Sequence, residues 1–331
     1  MSDEIGVRRR TLLQAGAALA AQAALPAISS AQSAPFPSQT VRMVLPFPAG
    51  GASDLAARQM SQKLSALLGQ SVVVDNWPGA DGATASQEVA RSAPDGHTIY
   101  YATATALSYL PVIRRNPGYA LSDFAPLTHF VSYTFFVTVH ASVPGRNLAE
   151  VLDHVRAHPG KYSYGSANSS GIISMAQLLD NSKTEMAHVP YKGEAPASVD
   201  LIAGRIHMLI ATPAVLPQLM RDGSARPVCV LLKERSPLMP EVPTIEESGQ
   251  PLMRCALWGG FLAPAKTPAP IVEQLSRALR TVMSEPDMKE RLQKLGLVPA
   301  GDTPEQFAAF LQEQAVAWRE AVALAKIPTD G

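Results

Sequence analysis

Short apolar strand patterns alternate with helical patterns along most of this 331-residue chain, and this alternation restricts the fold more than any other feature. The first unit runs from an apolar segment at 41–47 through a glycine-containing loop at 48–51 into a helical pattern that ends at Gly69. A second unit begins with a strand pattern at 71–75 and a turn at 78–82. Strands that alternate with helices usually form parallel sheets whose faces the helices cover. The sequence therefore predicts an α/β protein.

The alternation resumes after two aromatic and β-branched strand patterns, at 124–131 and 133–139. Strand and helix patterns then follow one another as far as residue 232. Proline-rich sequence at 237–251 separates them from one more strand pattern, at 254–263. Three helical patterns end the chain, at about 270–283, 286–295 and 304–325.

The length of the chain predicts two lobes rather than one domain. The last helices follow a strand that can re-enter the first sheet, so the first lobe is predicted to be discontinuous. It comprises residues 40–139 and 254–325, and residues 140–253 form the second lobe. The two crossings, near Val139 and near Trp258, would form a hinge. The residues alone equally allow three loosely packed segments.

Residues 1–31 have the organisation of an export signal, in which a basic segment precedes an apolar stretch and small residues. The apolar stretch, 15–25, is shorter than the roughly 20 residues that a membrane-spanning helix needs. Arg9-Arg10-x-Leu12-Leu13 resembles a twin-arginine signal, with an ordinary secretory signal as the alternative. We expect cleavage near Ala31, a periplasmic location and no direct membrane insertion.

The charge balance argues against a nucleic-acid partner. Lys and Arg together number 28, as do Asp and Glu, so the chain lacks the basic excess that a phosphate backbone attracts. Cys229 and Cys255 have no metal-ligand spacing. In an exported protein they could form a disulfide, although Cys229 equally fits a buried free thiol in an apolar strand. His154 and His158 precede Pro159, which favours a solvated helix end over a metal site, and no metal, cofactor or catalytic residue is predicted.

Several strand-to-helix junctions are rich in Gly, Ser and Thr, and together they predict an anion site. In an open α/β sheet the carboxyl ends of the strands converge on one crevice, where the following helices present free N–H groups. The loop at 48–54 alone could equally be a glycine turn with a helix cap. Several junctions are therefore needed, and they lie at 47–54, 79–84, 103–108, 165–171, 191–194 and 212–213.

Individual side chains near this crevice leave alternatives open. Lys192 could pair with a carboxylate ligand or could be a surface lysine. Trp77 could form a wall of the cleft or cover the edge of the core. A serine hydrolase that uses Ser166 or Ser53 with a histidine is a rival function, although the sequence has no nucleophile-elbow pattern.

Segments along nearly the whole mature chain resemble, in order, motifs of the tripartite tricarboxylate transporter substrate-binding proteins, also called the Bug family. Segment 44–54 resembles the opening motif of the family, and segment 72–82 resembles its second motif. Tyr164-Gly165-Ser166-Ala167 is similar to the third motif, and His188-Val189-Pro190-Tyr191-Lys192-Gly193 to a fourth. Further similarity lies at 240–249 and 258–264.

The resemblance implies a two-lobed periplasmic-binding-protein fold of type II, the Venus-flytrap fold, with a ligand cleft between the lobes. It implies a non-enzymatic receptor that captures a small carboxylate, whether a di- or tricarboxylate, an amino-acid-like acid or an aromatic acid, and delivers it to a membrane permease. A sensory receptor of the same fold, which presents its ligand to a signalling partner, is the alternative. We expect a monomer. The resemblance implies these ligand-binding residues: Ala49, Gly50, Gly51, Ala52, Ser53, Asp54, Gly82, Thr103, Ser166, Ala167, Asn168, Tyr191 and Thr212.

Four places depart from the pattern of the family. Trp77 stands where a basic residue, usually arginine, is common, and Asp81 stands where glycine is common. Met175 occupies a position that often holds histidine, and Thr212-Pro213 replaces a frequent Asp-Asn pair. These residues change the walls of the site rather than the main chain that holds the anion. The class of protein is therefore unaffected, whereas the identity of the carboxylate stays open.

Overall fold

A computed structural model describes residues 36–221 and 223–330. The predicted export signal, 1–31, lies outside the described residues. Over the described ranges, no helix combines the length and the apolar content that a membrane span requires.

The described strands form two sheets. The first has six strands in the order β11-β4-β10-β3-β1-β2, and the second has five in the order β7-β6-β8-β5-β9. In chain order the strands are β1 (Val41–Leu45), β2 (Val72–Asn76), β3 (Thr98–Thr103), β4 (Phe124–Tyr133), β5 (Phe136–His140), β6 (Ser163–Ser166), β7 (Ala187–Pro190), β8 (Met208–Ala211), β9 (Ala225–Val230), β10 (Trp258–Pro264) and β11 (Leu297–Pro299).

Helices connect these strands. They are α1 (Ala52–Leu68), α2 (Ala83–Ala90), α3 (Leu110–Ile113), α4 (Leu148–Arg156), α5 (Ser169–Ser182), α6 (Glu194–Ile202), α7 (Leu216–Met220), α8 (Ala269–Ser284), α9 (Pro286–Lys294) and α10 (Pro304–Leu324). A 3₁₀ turn at Ala80–Gly82 and a π-helical turn at Thr105–Tyr109 occupy two of the loops that follow strands. The α/β class predicted from the alternation is confirmed, whereas β11 and the π-helical turn were not anticipated.

The prediction of parallel sheets is only partly right, because both sheets are mixed. β1 pairs in parallel with β2 and β3, whereas β10 runs antiparallel to β3 and β4. The reason is the path of the chain. The carboxyl ends of β1 and β3 lie close to the second sheet, and β10 begins there because the chain is returning from that sheet, so β10 runs in the opposite direction. In the second sheet β6 is parallel to β7 and β8, whereas β5 is antiparallel to β8 and β9.

The chain passes between the sheets at two places. It leaves the first sheet at Tyr133, at the end of β4, and enters the second at Phe136, at the start of β5. It returns before Trp258, at the start of β10. The helix α10 then packs against α5, so an element that follows β10 also contacts the second sheet's helical layer. The exact division into lobes stays a prediction.

Amphipathic helices cover both faces of the first sheet. Met60 and Leu64 of α1 are fully buried, four residues apart on one face of the helix, together with Leu279 of α8. Gly69 ends α1 in the left-handed conformation, with φ at 68°. Thr303 begins α10 with a capping box, which satisfies N–H groups at the start of that helix.

Both cysteines are free and buried in the same apolar cluster, so the free-thiol alternative holds for Cys229 and for Cys255. Burial raises the pKa of each thiol to about 12. Neither thiol is therefore ionised near neutral pH.

Candidate functional site

A cavity of about 820 Å³ lies where the strand-to-helix junctions of both sheets meet. Ser53, Gly82 and Thr103 contribute from the first sheet's side, and Ser166 and Tyr191 contribute from the second. This is the arrangement that the convergence of strand ends predicted.

The cavity contains some, but not all, of the residues implied by the family resemblance. Eight of them line it: Ser53, Gly82, Thr103, Ser166, Ala167, Asn168, Tyr191 and Thr212. The remaining five belong to the loop before α1 and its first turn, and they do not line the cavity: Ala49, Gly50, Gly51, Ala52 and Asp54.

Asp54 stabilises the loop before α1 without lining the cavity. Its carboxylate is 1% exposed and accepts hydrogen bonds from the Gly50 N–H at 3.0 Å, from Arg58 Nε at 2.9 Å and from Asn76 Nδ2 at 2.9 Å. Burial alone would raise the pKa of Asp54, but the hydrogen bonds from Arg58, Gly50 and Asn76 outweigh it and lower that pKa to about 2. Asp54 is therefore ionised at neutral pH and holds the loop through hydrogen bonds to its carboxylate.

Ser53 belongs to a short chain of hydroxyl groups. Its Oγ lies 3.0 Å from the Tyr133 hydroxyl, which lies 3.1 Å from the hydroxyl of Tyr101. Tyr133 lines the cavity as well, whereas Tyr101 is fully buried behind it. No side chain of a described residue caps the N-terminus of α1. The first N–H groups of an α-helix have no intrahelical partner, so those next to Ser53 are not satisfied by a side-chain cap either.

The loop before α2 brings its main chain close to the cavity. Gly79 and Gly82 have φ values of 135° and 96°, and Asp81 between them is also left-handed at 57°. A Cβ on Gly82 would lie 2.9 Å from the Cβ of Ala106 and 3.3 Å from that of Pro46. Glycine is required there both for its conformation and for the space.

The second sheet's side presents a hydroxyl and an amide. Asn168 caps α5, and its Oδ1 accepts a hydrogen bond from the Gly171 N–H at 2.8 Å. Ser166 is 2% exposed, and its Oγ lies 2.6 Å from Nε2 of His188. The His188 ring stacks on Tyr164 with 4.9 Å between ring centroids. Burial lowers the pKa of His188, so its neutral form is favoured at neutral pH.

Thr212 and Tyr191 are each held by an acid that lies outside the cavity lining. Thr212 Oγ1 lies 2.6 Å from Oε2 of Glu194, and Tyr191 donates to Asp200 Oδ2 at 2.8 Å. Burial raises the pKa of Glu194, and its other oxygen, Oε1, is buried without a hydrogen-bond partner among the described residues. The polar ends of these side chains are therefore already engaged by the protein.

Sequence reasoning missed most of the apolar wall of the cavity, since of its members only Phe47 lies in a predicted junction. Its members are Phe47, Tyr109, Ile113, Tyr133, Phe135, Ile172, Leu257 and Trp258. Several come from the crossings between the sheets, where strand patterns meet. The only other signal in the sequence was the presence of Trp258 at the start of a segment that resembles a family motif.

Charges are sparse in the cavity. Among the described residues that line it, none is Lys, Arg or His, and Asp81 is its one acid. Lys192 is exposed and does not line it, which favours the surface-lysine alternative. Trp77 packs against the main apolar cluster and donates from Nε1 to Asp75 at 2.8 Å, so it covers the edge of the core.

No group of three or more metal-ligating side chains occurs among residues 36–221 and 223–330. His154 and His158 stack at the end of α4 with 4.3 Å between ring centroids, and Nε2 of His154 lies 2.8 Å from the Tyr162 hydroxyl.

Comparison with known proteins identifies similar chains. The model of a family described as the tripartite tricarboxylate transporter family receptor matches residues 56–325. A protein encoded in the tcbD-tcbE intergenic region of Pseudomonas sp. (strain P51) is 35% identical over 290 residues, which are 87% of this chain and 86% of that protein.

Two solved structures share the architecture. Rpa4515 of R. palustris, solved with adipate, is 30% identical with a TM-score of 0.74, and the match covers 89% of this chain and 99% of that one. MatC of Rhodopseudomonas palustris, solved with bound malate, is 28% identical with a TM-score of 0.68, and the match covers 87% of this chain and 100% of that one.

Proposed function

The chain belongs to the tripartite tricarboxylate transporter receptor family, and from that premise we propose that it captures a small carboxylate between its two sheets and delivers it to a membrane permease. The family consists of periplasmic substrate-binding receptors rather than enzymes. Similar proteins have been solved with adipate and with malate, both of which are carboxylates.

One observation carries the proposal: junctions from both sheets line a single cavity. A ligand held from both sides favours the state in which the two sides are close, and only such a preference can shift an open and closed equilibrium. We propose that the crossings at 133–136 and before Trp258 act as the hinge of that movement.

The carboxylate would be held by N–H groups and hydroxyls instead of by a cation. The first turns of α1 and α2 have no side-chain caps. A helix terminus contributes about 0.3–1 kcal/mol to a bound anion when exposed and up to about 2 kcal/mol when partly buried. Micromolar affinity corresponds to about 8 kcal/mol, so α1, α2 and the Ser166 to Asn168 loop must act together.

Within this proposal the loop at 49–52 and Asp54 supports the site, and Ser53, Gly82, Thr103, Ser166, Ala167, Asn168, Tyr191 and Thr212 surround the ligand. The receptor is proposed to act as a monomer, because each copy contains both sides of the cavity.

Calorimetric titration of the purified protein with mono-, di- and tricarboxylates tests the function. We expect saturable binding of at least one acid, together with a rise in Tm. Stabilisation by sugars or metal ions, with no response to any carboxylate, would overturn the proposal.

A pair of substitutions on β3 tests the location. Thr103 lines the cavity, whereas Thr98 lies at the other end of the same strand and is equally buried. Thr103→Val should weaken binding by about fivefold, which corresponds to the roughly 1 kcal/mol of one hydrogen bond. Thr98→Val should leave affinity within about twofold, since it also removes a threonine hydroxyl, but one that lies away from the cavity. Equal effects of the two substitutions on affinity would contradict a binding site at Thr103.

A serine hydrolase is the second candidate, favoured by the 2.6 Å contact between Ser166 Oγ and His188 Nε2. Against it, no described residue forms a hydrogen bond with Nδ1 of His188, so the described residues provide no group to orient the imidazole as a general base. Hydrolysis of p-nitrophenyl esters that is lost in Ser166→Ala would support the hydrolase, and absence of turnover would exclude it for those substrates.

A further inference from the structure

Asp81 gives the cavity a net negative lining. It is the one residue with a formally charged side chain among the described residues that line this space. The ion pairs of the described chain join other residues, and none within 4.0 Å includes Asp81. A ligand that enters the cavity therefore meets a carboxylate that is not already neutralised by the protein.

The backbone around Asp81 is held in one conformation. Asp81 has φ at 57° and ψ at 28°, within the 3₁₀ turn Ala80–Gly82. Gly79 and Ala80 before it and Gly82 after it are also at positive φ, and the space beside Gly82 cannot accept a side chain. The main chain of Asp81 is thereby held beside the cavity, and its exposed side chain lines it.

Tyr109 belongs to the π-helical turn Thr105–Tyr109, which packs against the turn that contains Asp81. Burial raises the pKa of Tyr109, and the negative charge of Asp81 raises it further, whereas the positive charge of Arg114 lowers it. Tyr109 lines the cavity. Asp81 and Tyr109 therefore line neighbouring parts of the cavity, and the charge of Asp81 acts on that part of the lining.

A plain dicarboxylate fits this lining poorly. One of its carboxylates can use the N–H groups of α1 and the hydroxyl of Ser53, but no Lys, Arg or His among the described residues of the lining offsets the charge of Asp81 for the second. It would also be repelled by Asp81, and closure removes the water that screens like charges. An organic acid whose other end is an ammonium group fits better. Its carboxylate can meet the N–H groups of α1, and its ammonium group can meet the carboxylate of Asp81.

We propose that the ligand is a zwitterionic organic acid and that Asp81 selects it by facing its positively charged nitrogen. The inference rests on the proposed function, since it concerns the same cavity. The aromatic rings of Tyr109 and Tyr133 in the wall suit the same cation, because ring faces attract ammonium groups.

Matched acids test the inference by calorimetry. Glutarate, 4-aminobutanoate and butanoate have the same three-carbon chain beyond the carboxylate and end in a carboxylate, an ammonium and a hydrogen, respectively. Adipate, 5-aminopentanoate and pentanoate repeat the comparison with one more carbon. We expect the aminated acid of at least one set to bind wild-type protein at least tenfold more tightly than the dicarboxylate of that set.

Asp81→Asn removes the charge and keeps the turn, because Asn tolerates the left-handed conformation. The preference for the aminated acid should fall by at least tenfold in this variant, with weaker binding of that acid and tighter binding of the dicarboxylate. Asp153→Asn, an exposed aspartate on α4 away from the cavity, is the control and should keep the wild-type preference.

The outcomes separate the two proposals. If no acid in either set and no other carboxylate binds, the proposed function fails. If carboxylates bind but dicarboxylates bind as tightly as aminated acids, the zwitterion inference is overturned and the proposed function stands. A preference for aminated acids that Asp81→Asn leaves unchanged overturns the role of Asp81.

Discussion

The hydroxyl of Tyr133 lies 3.0 Å from the hydroxyl of Ser53, so the last residue of β4 contacts the first turn of α1. Both side chains line the cavity. Tyr133 also lies next to the crossing between the two sheets, at Thr134 and Phe135. This contact therefore connects the proposed hinge with the proposed anion site.

Tyr133→Phe should weaken ligand binding about fivefold, because Ser53 loses the partner that orients its hydroxyl and one hydrogen bond is worth about 1 kcal/mol. Tyr101→Phe is the matched control. It removes the tyrosine hydroxyl that contacts Tyr133 from a residue outside the cavity lining. It should lower the free energy of unfolding by about 1 kcal/mol and change affinity less than twofold. Calorimetry and urea unfolding of both variants check this, and equal affinities in all three proteins would contradict it.

Asp54→Asn should destabilise the protein by about 2 kcal/mol at pH 7, because hydrogen bonds to a charged carboxylate are replaced by weaker ones. The pKa of Asp54 is lowered in the fold to about 2, below its ordinary 3.8. Its stabilisation is therefore fully present above the ordinary pKa and is lost as the pH falls through about 2.

Urea unfolding between pH 7 and pH 2 measures this effect. The difference in unfolding free energy between wild type and Asp54→Asn should shrink towards zero at the acid end. A difference that stays constant over the whole range would show that the charge of Asp54 does not stabilise the loop. Asp153→Asn, at an exposed position, should differ from wild type by less than about 0.5 kcal/mol throughout.

Gly82→Ala should cost about 2–4 kcal/mol of stability, through positive φ and through overpacking against Ala106 and Pro46. Gly69→Ala isolates the first effect, because Gly69 also has positive φ but open space around it. It should cost about 1 kcal/mol and leave ligand affinity unchanged. Thermal unfolding and titration distinguish the two, and equal costs would mean that the loop before α2 can move aside.

Glu194→Gln should remove a loss of stability that wild-type protein shows as the pH rises. Burial raises the pKa of Glu194 above its ordinary 4.5, so the fold binds its proton more tightly than the unfolded chain does. The contribution to stability is complete below the ordinary pKa and is lost as the pH rises through the raised value.

Unfolding free energies of wild type and Glu194→Gln, measured from pH 4 to pH 8, test this. The free energy of unfolding of the variant should rise relative to that of wild type as the pH rises, because a glutamine, unlike a glutamate, does not ionise in the buried site next to Thr212. Glu246→Gln, at an exposed position, should show no such trend. Parallel curves for wild type and Glu194→Gln would contradict the prediction.

Local sequence patterns were sufficient for much of the secondary structure. The predicted helical patterns at 270–283, 286–295 and 304–325 correspond to α8, α9 and α10 within a few residues. Gly, Ser and Asn at strand ends likewise predicted several of the loops that line the cavity, because those residues favour turns and helix caps whatever they pack against. The mixed direction of the sheets was not predicted, since periodicity along one strand contains no information about the direction of its neighbour.

The sequence by itself determined the alternation of strands and helices, the glycine turns at their junctions and the family to which the chain belongs. Only the tertiary structure decided that Asp54 is buried outside the cavity lining, that Tyr133 and Trp258 belong to that lining and that Asp81 is the one formally charged residue among the described residues of the lining. The physical reason is distance along the chain: Ser53 and Tyr133 are 80 residues apart, and their contact exists only after β4 and α1 have packed on the same sheet. Turn and cap preferences act within a few residues, whereas the chemistry of a cavity depends on side chains that folding brings together.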